Sequence, residues 1–132
     1  MSTRATGAFE VTLTPQPADD PNTGIGRLII AKHLRGDLEG TSEGVMLAFR
    51  TPVDGSAGYV AMERVTGALH GRRGSFALQH SGTSTRGALQ LSITVVPDSG
   101  TDELAGLSGR MQIIVDGGAH TYELDYTIEE PG

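Results

Sequence analysis

The chain has 132 residues, 37% hydrophobic and 20% charged with no long single-sign run, which is the size and balance of one globular domain rather than a disordered segment. A formal net charge of -6 argues against partners that need clustered Lys and Arg, so neither nucleic acid nor an anionic membrane surface is expected. The lack of cysteine excludes disulfides, thiolate metal sites and thiol catalysis, and with neither an apolar leader nor a run of about 20 apolar residues the expected location is cytoplasmic.

From Thr6 to Thr14 the apolar Phe9, Val11 and Leu13 alternate with Glu10, Thr12 and Thr14, the period of a half-buried strand that Pro15 should end. The proline-rich PQPADDPNTG that follows reads as a loop, Pro15 to Gly24. Ile25 to Arg35 places Leu28, Ile30 and Leu34 on one face together with Lys32, and Ile29, Ala31 and His33 on the other. Gly36-Asp37 signals a tight turn. Beyond it, in Leu38 to Phe49, Gly40, Ser42 and Gly44 alternate with Glu39, Thr41 and Glu43; glycine recurring in a strand marks a bend, a bulge or the close approach of another backbone.

Ala57 to Gly82 reads as a long β-hairpin, with alternating runs from Tyr59 to Leu69 and from Ser75 to Ser81 around a turn between Gly71 and Gly74. Gly87 to Val96 is the cleanest alternation in the chain, setting Leu89, Leu91, Ile93 and Val95 against Gln90, Ser92 and Thr94. In PDSGTDELAGLSG, Ser99 or Thr101 can cap a single helical turn over Glu103 to Leu107, stopped by Gly109 and too short for a true helix. Met111 to Asp116, a Gly117-Gly118 turn and His120 to Ile128 form a last hairpin, with Tyr122, Leu124, Tyr126 and Ile128 on one face.

Eight strands with no helical periodicity must cover one another, and a meander of that number does so by closing into an up-and-down barrel without exposed edges. The expected fold is therefore all-β, a closed antiparallel eight-stranded barrel over residues 1–132 as one domain, with a two-sheet sandwich as the alternative. Such a barrel has room inside for side chains or for one small ligand. The inward apolar residues Phe76, Leu78, Leu91, Ile93, Tyr122 and Tyr126 are the expected cavity lining.

Glu63 lies in phase with Tyr59, Ala61, Val65 and Leu69, so a strand that buries those side chains buries a carboxylate too. Unpaired burial is costly, and a desolvated carboxyl has the raised pKa of a general acid or base. The plain alternative is a salt bridge, with Lys32 or Arg110 as partner, since Arg64 points to the other face. His80 shares a face with Phe76 and Leu78, and a histidine so placed is more often a satisfied core residue than a catalyst. The hairpin turn sets Glu63 and His80 nearly opposite each other, so the carboxylate can orient the imidazole while Tyr59 donates to a carbonyl or enolate oxygen.

Other site classes find less support. Glu39 and Glu43 share a face and either add a negative site or face solvent. His33, His70, His80 and His120 form no H-x-x-x-H or H-x-H pattern, and there is no GxSxG elbow or phosphate-binding loop, so no metal and no cofactor is expected. Three tyrosines, three phenylalanines and no tryptophan provide poorly for base stacking.

The successive motifs TGAFEVTLTPQP, GDLEGTSEG, GSAGYVAMERVTGALHGRRGSFALQHSG, LSITVVPDSGTDELAGLSG and DGGAHTYELDYT resemble an uncharacterised bacterial family, the domain-of-unknown-function 3224 family, over nearly the whole chain. The resemblance implies a barrel similar to that of allene oxide cyclase, a lipocalin-like meander. It carries no settled activity and no catalytic motif, though related barrels include cofactor-free cyclases. Ser84-Thr85 departs from the family pattern, in which a methionine is expected.

Three readings stand at this level. The chain is a cofactor-independent isomerase or cyclase of an apolar, carbonyl-bearing biosynthetic intermediate, with Glu63, His80 and Tyr59 as catalytic residues; or a noncatalytic ligand-binding or carrier barrel; or a filled-core structural protein. The third would use the Ile29 and Ala31 face as a subunit interface of a homo-oligomer.

Overall fold

The structure, a computed structural model, describes residues 2–17 and 20–129. Eight strands run in chain order: β1 Thr3–Gln16, β2 Ile25–Gly36, β3 Leu38–Arg50, β4 Ala57–Leu69, β5 Arg72–Thr85, β6 Ala88–Val95, β7 Leu107–Asp116 and β8 Ala119–Ile128. Each pairs antiparallel with the next and β8 returns to β1, so the sheet is a closed meander barrel.

Period-two alternation decides which side chains face inward, and paired residues share a face. The inner set includes Phe9, Leu34, Leu38, Val65, Leu69, Phe76, Leu78, Ile93, Tyr122 and Leu124, which pack into one buried cluster. That cluster fills one end of the barrel. Its plug is the segment between β6 and β7, where the single turn expected over Glu103 to Leu107 is instead a short 3-10 turn, Asp102–Leu104, with Leu104 fully buried and Leu107 already in β7.

The other end is open because two seams unzip toward it. β6 and β7 pair only through Ile93–Met111 and Thr94–Arg110, and β1 pairs with β8 only from Thr3 to Phe9. Leu89 and Leu91 on β6 therefore remain exposed despite their inward phase. On the outer wall Ile29 is half-buried and Ala31 exposed, beside the exposed Leu47, Phe49, Val60 and Met62.

Two local expectations are corrected. Pro15 does not end β1, which continues to Gln16; there the strand is flanked by β2 alone, and at such an edge a missing N–H can face the unpaired side. The β4–β5 turn is His70-Gly71, with φ of 47° and 81°, a two-residue turn with both central residues left-handed. Leu69 therefore pairs with Arg72, Glu63 faces Leu78, and His80 faces Ala61. His70 tolerates its positive φ within a set of contacts: its N–H donates to the Asp37 carbonyl at 2.8 Å, its Nδ1 lies 2.5 Å from the Tyr126 hydroxyl, and its Nε2 lies 3.5 Å from the Asp37 carboxylate.

Candidate functional site

Above the packed half, the inward phase of four adjacent strands gathers Lys32 from β2, Ser42 from β3, Glu63 and Tyr59 from β4, and His80 from β5. Ser42 pairs with Lys32 on one side and Val65 on the other, while Gly44 pairs with Glu63. A Cβ on Gly44 would lie 2.6 Å from that of Glu63, so the glycine is what lets the carboxylate side chain lie across β3 toward Lys32. The recurring glycines of β3 thus mark the close approach of the β4 backbone, at Thr66 and Gly67 for Gly40 and at Met62 and Glu63 for Gly44, one of the three outcomes the sequence left open.

Lys32 Nζ donates to Glu63 Oε1 at 3.1 Å and stands at the same distance from Oε2. It also lies 5.0 Å over the centre of the Phe9 ring. His80 Nε2 is 3.7 Å from Glu63 Oε1, beyond a hydrogen bond, and on its other side Nδ1 is 3.4 Å from the Tyr59 hydroxyl. Ser42 Oγ, Glu63 Oε2 and His80 Nε2 are sealed from solvent and make no hydrogen bond among the described residues, Oε2 meeting Lys32 as an ion pair alone.

The electrostatics follow from this packing. Burial pushes the Glu63 carboxyl upward, but His80 and Lys32 together outweigh it and hold the group below the usual carboxylate range. Glu63 is thus an ionised partner rather than the proton-holding acid that burial alone would make. Burial, seconded by the Glu63 charge, raises the Tyr59 phenol, which stays protonated and able to donate.

Tyr59 leads from this interior to the mouth. Its ring lies across Gly82, where an added Cβ would come within 2.4 Å of Cε1. On the outer side of the ring is a half-open cavity of about 350 Å³ whose walls include Met46, Ala48, Leu89 and Leu91. The rim holds Ser84, whose hydroxyl donates to the Gly55 carbonyl at 2.7 Å, and Arg50. The position at which the family pattern expects methionine is therefore part of the mouth.

Of the six residues expected to line a cavity, Leu91 stands at the mouth; Phe76, Leu78, Ile93, Tyr122 and Tyr126 belong to the packed cluster of the closed half. Lys32 is the partner of Glu63; Arg110, in the outward phase of β7, pairs across from Asp125. Arg64 is likewise outside, donating to Ser75 Oγ at 3.1 Å, and Glu39 and Glu43 are exposed. Sequence reasoning passed over Ser42, Met46, Ala48 and Arg50, although the phase of β3 puts all four on the face of Gly44. Among the described residues no three His, Asp or Glu gather as a metal site, and no helix is long and apolar enough to cross a membrane.

Fold and site together define a class: a small closed meander barrel, plugged at one end, with an apolar mouth above a buried Lys–Glu–His cluster. The chain belongs to the DUF3224 family, described as proteins of unknown function, whose family model matches residues 5–126. It is similar to a protein of unknown function from that family in Shewanella oneidensis, known from a crystal structure, at 46% identity with a TM-score of 0.95, over 99% of this chain and 100% of that one. No curated protein matches it.

Proposed function

We propose that the barrel binds an apolar, carbonyl-bearing small molecule in its mouth and that Tyr59, His80 and Glu63 move a proton at that carbonyl, in a cofactor-independent isomerisation or cyclisation. One observation carries this reading: the phenol on the inner wall of an apolar cavity is backed by an imidazole, and the imidazole by a buried ion pair. With a proton on both imidazole nitrogens, Nδ1–H donates to Tyr59 and the phenol proton is free for the ligand's oxygen. With Nδ1 bare, it takes the phenol's proton back. Glu63 orients the ring and offsets its charge, and Lys32 keeps Glu63 ionised.

A noncatalytic binding barrel is the second reading, favoured by the 3.7 Å between His80 and Glu63, which leaves the imidazole without the hydrogen bond a working relay needs. The two separate with 2-decanone as probe. Binding is followed by saturation-transfer NMR, and chemistry by deuterium incorporation next to the carbonyl in D2O. The enzyme reading expects Tyr59→Phe still to bind the ketone, weakened by no more than the roughly tenfold of one lost hydrogen bond, and to lose about 10²-fold in exchange rate. Ketone binding with no exchange above buffer leaves a carrier barrel; no binding removes both readings.

A further inference from the structure

The charge at the rim names the kind of molecule the mouth takes. Resting on the small-molecule reading above, we propose that the ligand is an aliphatic oxocarboxylate, its carboxylate on Arg50 and its apolar chain running inward along the mouth to bring the ketone to Tyr59. Among the described residues Arg50 is the only charged one lining the cavity. It lies in the inward phase of β3, two residues nearer the rim than Ala48, the cross-strand partner of Tyr59. Among the described residues no carboxylate pairs with it, neither Asp54 in the adjoining loop nor Asp20 beyond β1.

The surroundings favour an anion of this shape. Two arginines elsewhere on this protein are engaged by acids: Arg4 binds Asp125 and Glu123, and Arg35 binds Glu10. Arg50 instead lines the same cavity as Met46, Ala48, Leu89 and Leu91, and a guanidinium beside an apolar wall suits a carboxylate bound bidentately with a hydrocarbon chain behind it. The other polar groups of the lining are neutral, and Ser84 is already committed to the Gly55 carbonyl. With a formal net charge of -6 the chain as a whole repels anions, so a carboxylate held here is held locally. A cavity of about 350 Å³ is at the small end of ligand sites, which points to a medium-length chain.

The test uses the neutral fluorescent dye 1-N-phenylnaphthylamine, displaced by decanoate or by 1-decanol below their aggregation limits. Decanoate should displace it at about five- to tenfold lower concentration than decanol, the advantage of a partly shielded charge-assisted pair. Arg50→Gln should abolish that advantage and leave decanol unchanged, and Leu91→Gln should weaken both probes. If the dye does not bind, or decanol does not displace it, the small-molecule reading itself fails. If decanol and decanoate displace it equally, or Arg50→Gln keeps the preference, the barrel still binds apolar molecules and the carboxylate assignment is wrong.

Discussion

Lys32 and Glu63 form an ion pair across β3, 3.1 Å from ammonium nitrogen to carboxylate oxygen, with side chains 6% and 0% exposed. Two charges so far from water hold each other in place at a desolvation cost that their attraction does little more than offset. Removing one is therefore worse than removing both. Lys32→Met should destabilise the fold by about 3–5 kcal/mol in urea denaturation, because it strands a buried carboxylate. The double variant Lys32→Met/Glu63→Leu should recover most of that loss, and a double variant no more stable than the single would show that the pair is not the reason for the loss.

The same carboxylate gives the stability a pH dependence of known sign. Glu63 is held below the usual carboxylate range in the folded protein, so the unfolded chain binds its proton first. The stabilisation is complete above the unfolded value of about 4.3 and disappears as pH falls through the lower folded value. Wild type and Glu63→Gln should differ in Tm by a constant amount above about pH 5 and converge below about pH 4. A gap that widens on acidification would mean that Glu63 is protonated in the folded state at neutral pH.

Strand order, closure and the inward phase of Glu63, His80 and Lys32 were legible because all three depend on period two, which a sequence displays directly. Depth along the barrel axis was not. Phe76, Leu78, Ile93, Tyr122 and Tyr126 share a phase with Leu91, and alternation does not say that only Leu91 stands beyond the point where β6 leaves β7. The register of β4 against β5 differs from the expected one by four residues for a different reason. Gly71 to Gly74 offers the usual turn residues, yet the chain turns at His70-Gly71 because Asp37 and Tyr126, distant in sequence, hold His70 in a left-handed conformation. Glu63 and His80 are diagonal neighbours in this register, which is still within reach of each other.

The closed half should answer to mutation independently of the mouth. The Tyr122 hydroxyl lies 2.9 Å from the carbonyl oxygens of Arg35 and Leu38 and accepts from the Leu38 N–H, tying β8 to the β2–β3 turn. Tyr122→Phe leaves that buried N–H without its partner, at a cost of about 1–3 kcal/mol. Ketone binding and exchange should be unchanged below the melting transition. A change in either would mean that the plugged end communicates with the site.

Gly82 offers the sharpest separation of position from chemistry. It is in extended backbone that any residue adopts, so Gly82→Ala brings no backbone strain, only a methyl group 2.4 Å from Tyr59 Cε1 and 3.3 Å from Leu91 Cδ1. The ring must swing off β5, taking the hydroxyl away from His80 Nδ1 while leaving the phenol in the chain. Overpacking of this kind costs about 1–3 kcal/mol, which a urea titration would register. If proton transfer needs the Tyr59–His80 contact, Gly82→Ala should lose exchange at the ketone to the same extent as Tyr59→Phe, although its tyrosine is intact. Retained exchange in Gly82→Ala, with Tyr59→Phe inactive, would show that the phenol works without the imidazole behind it.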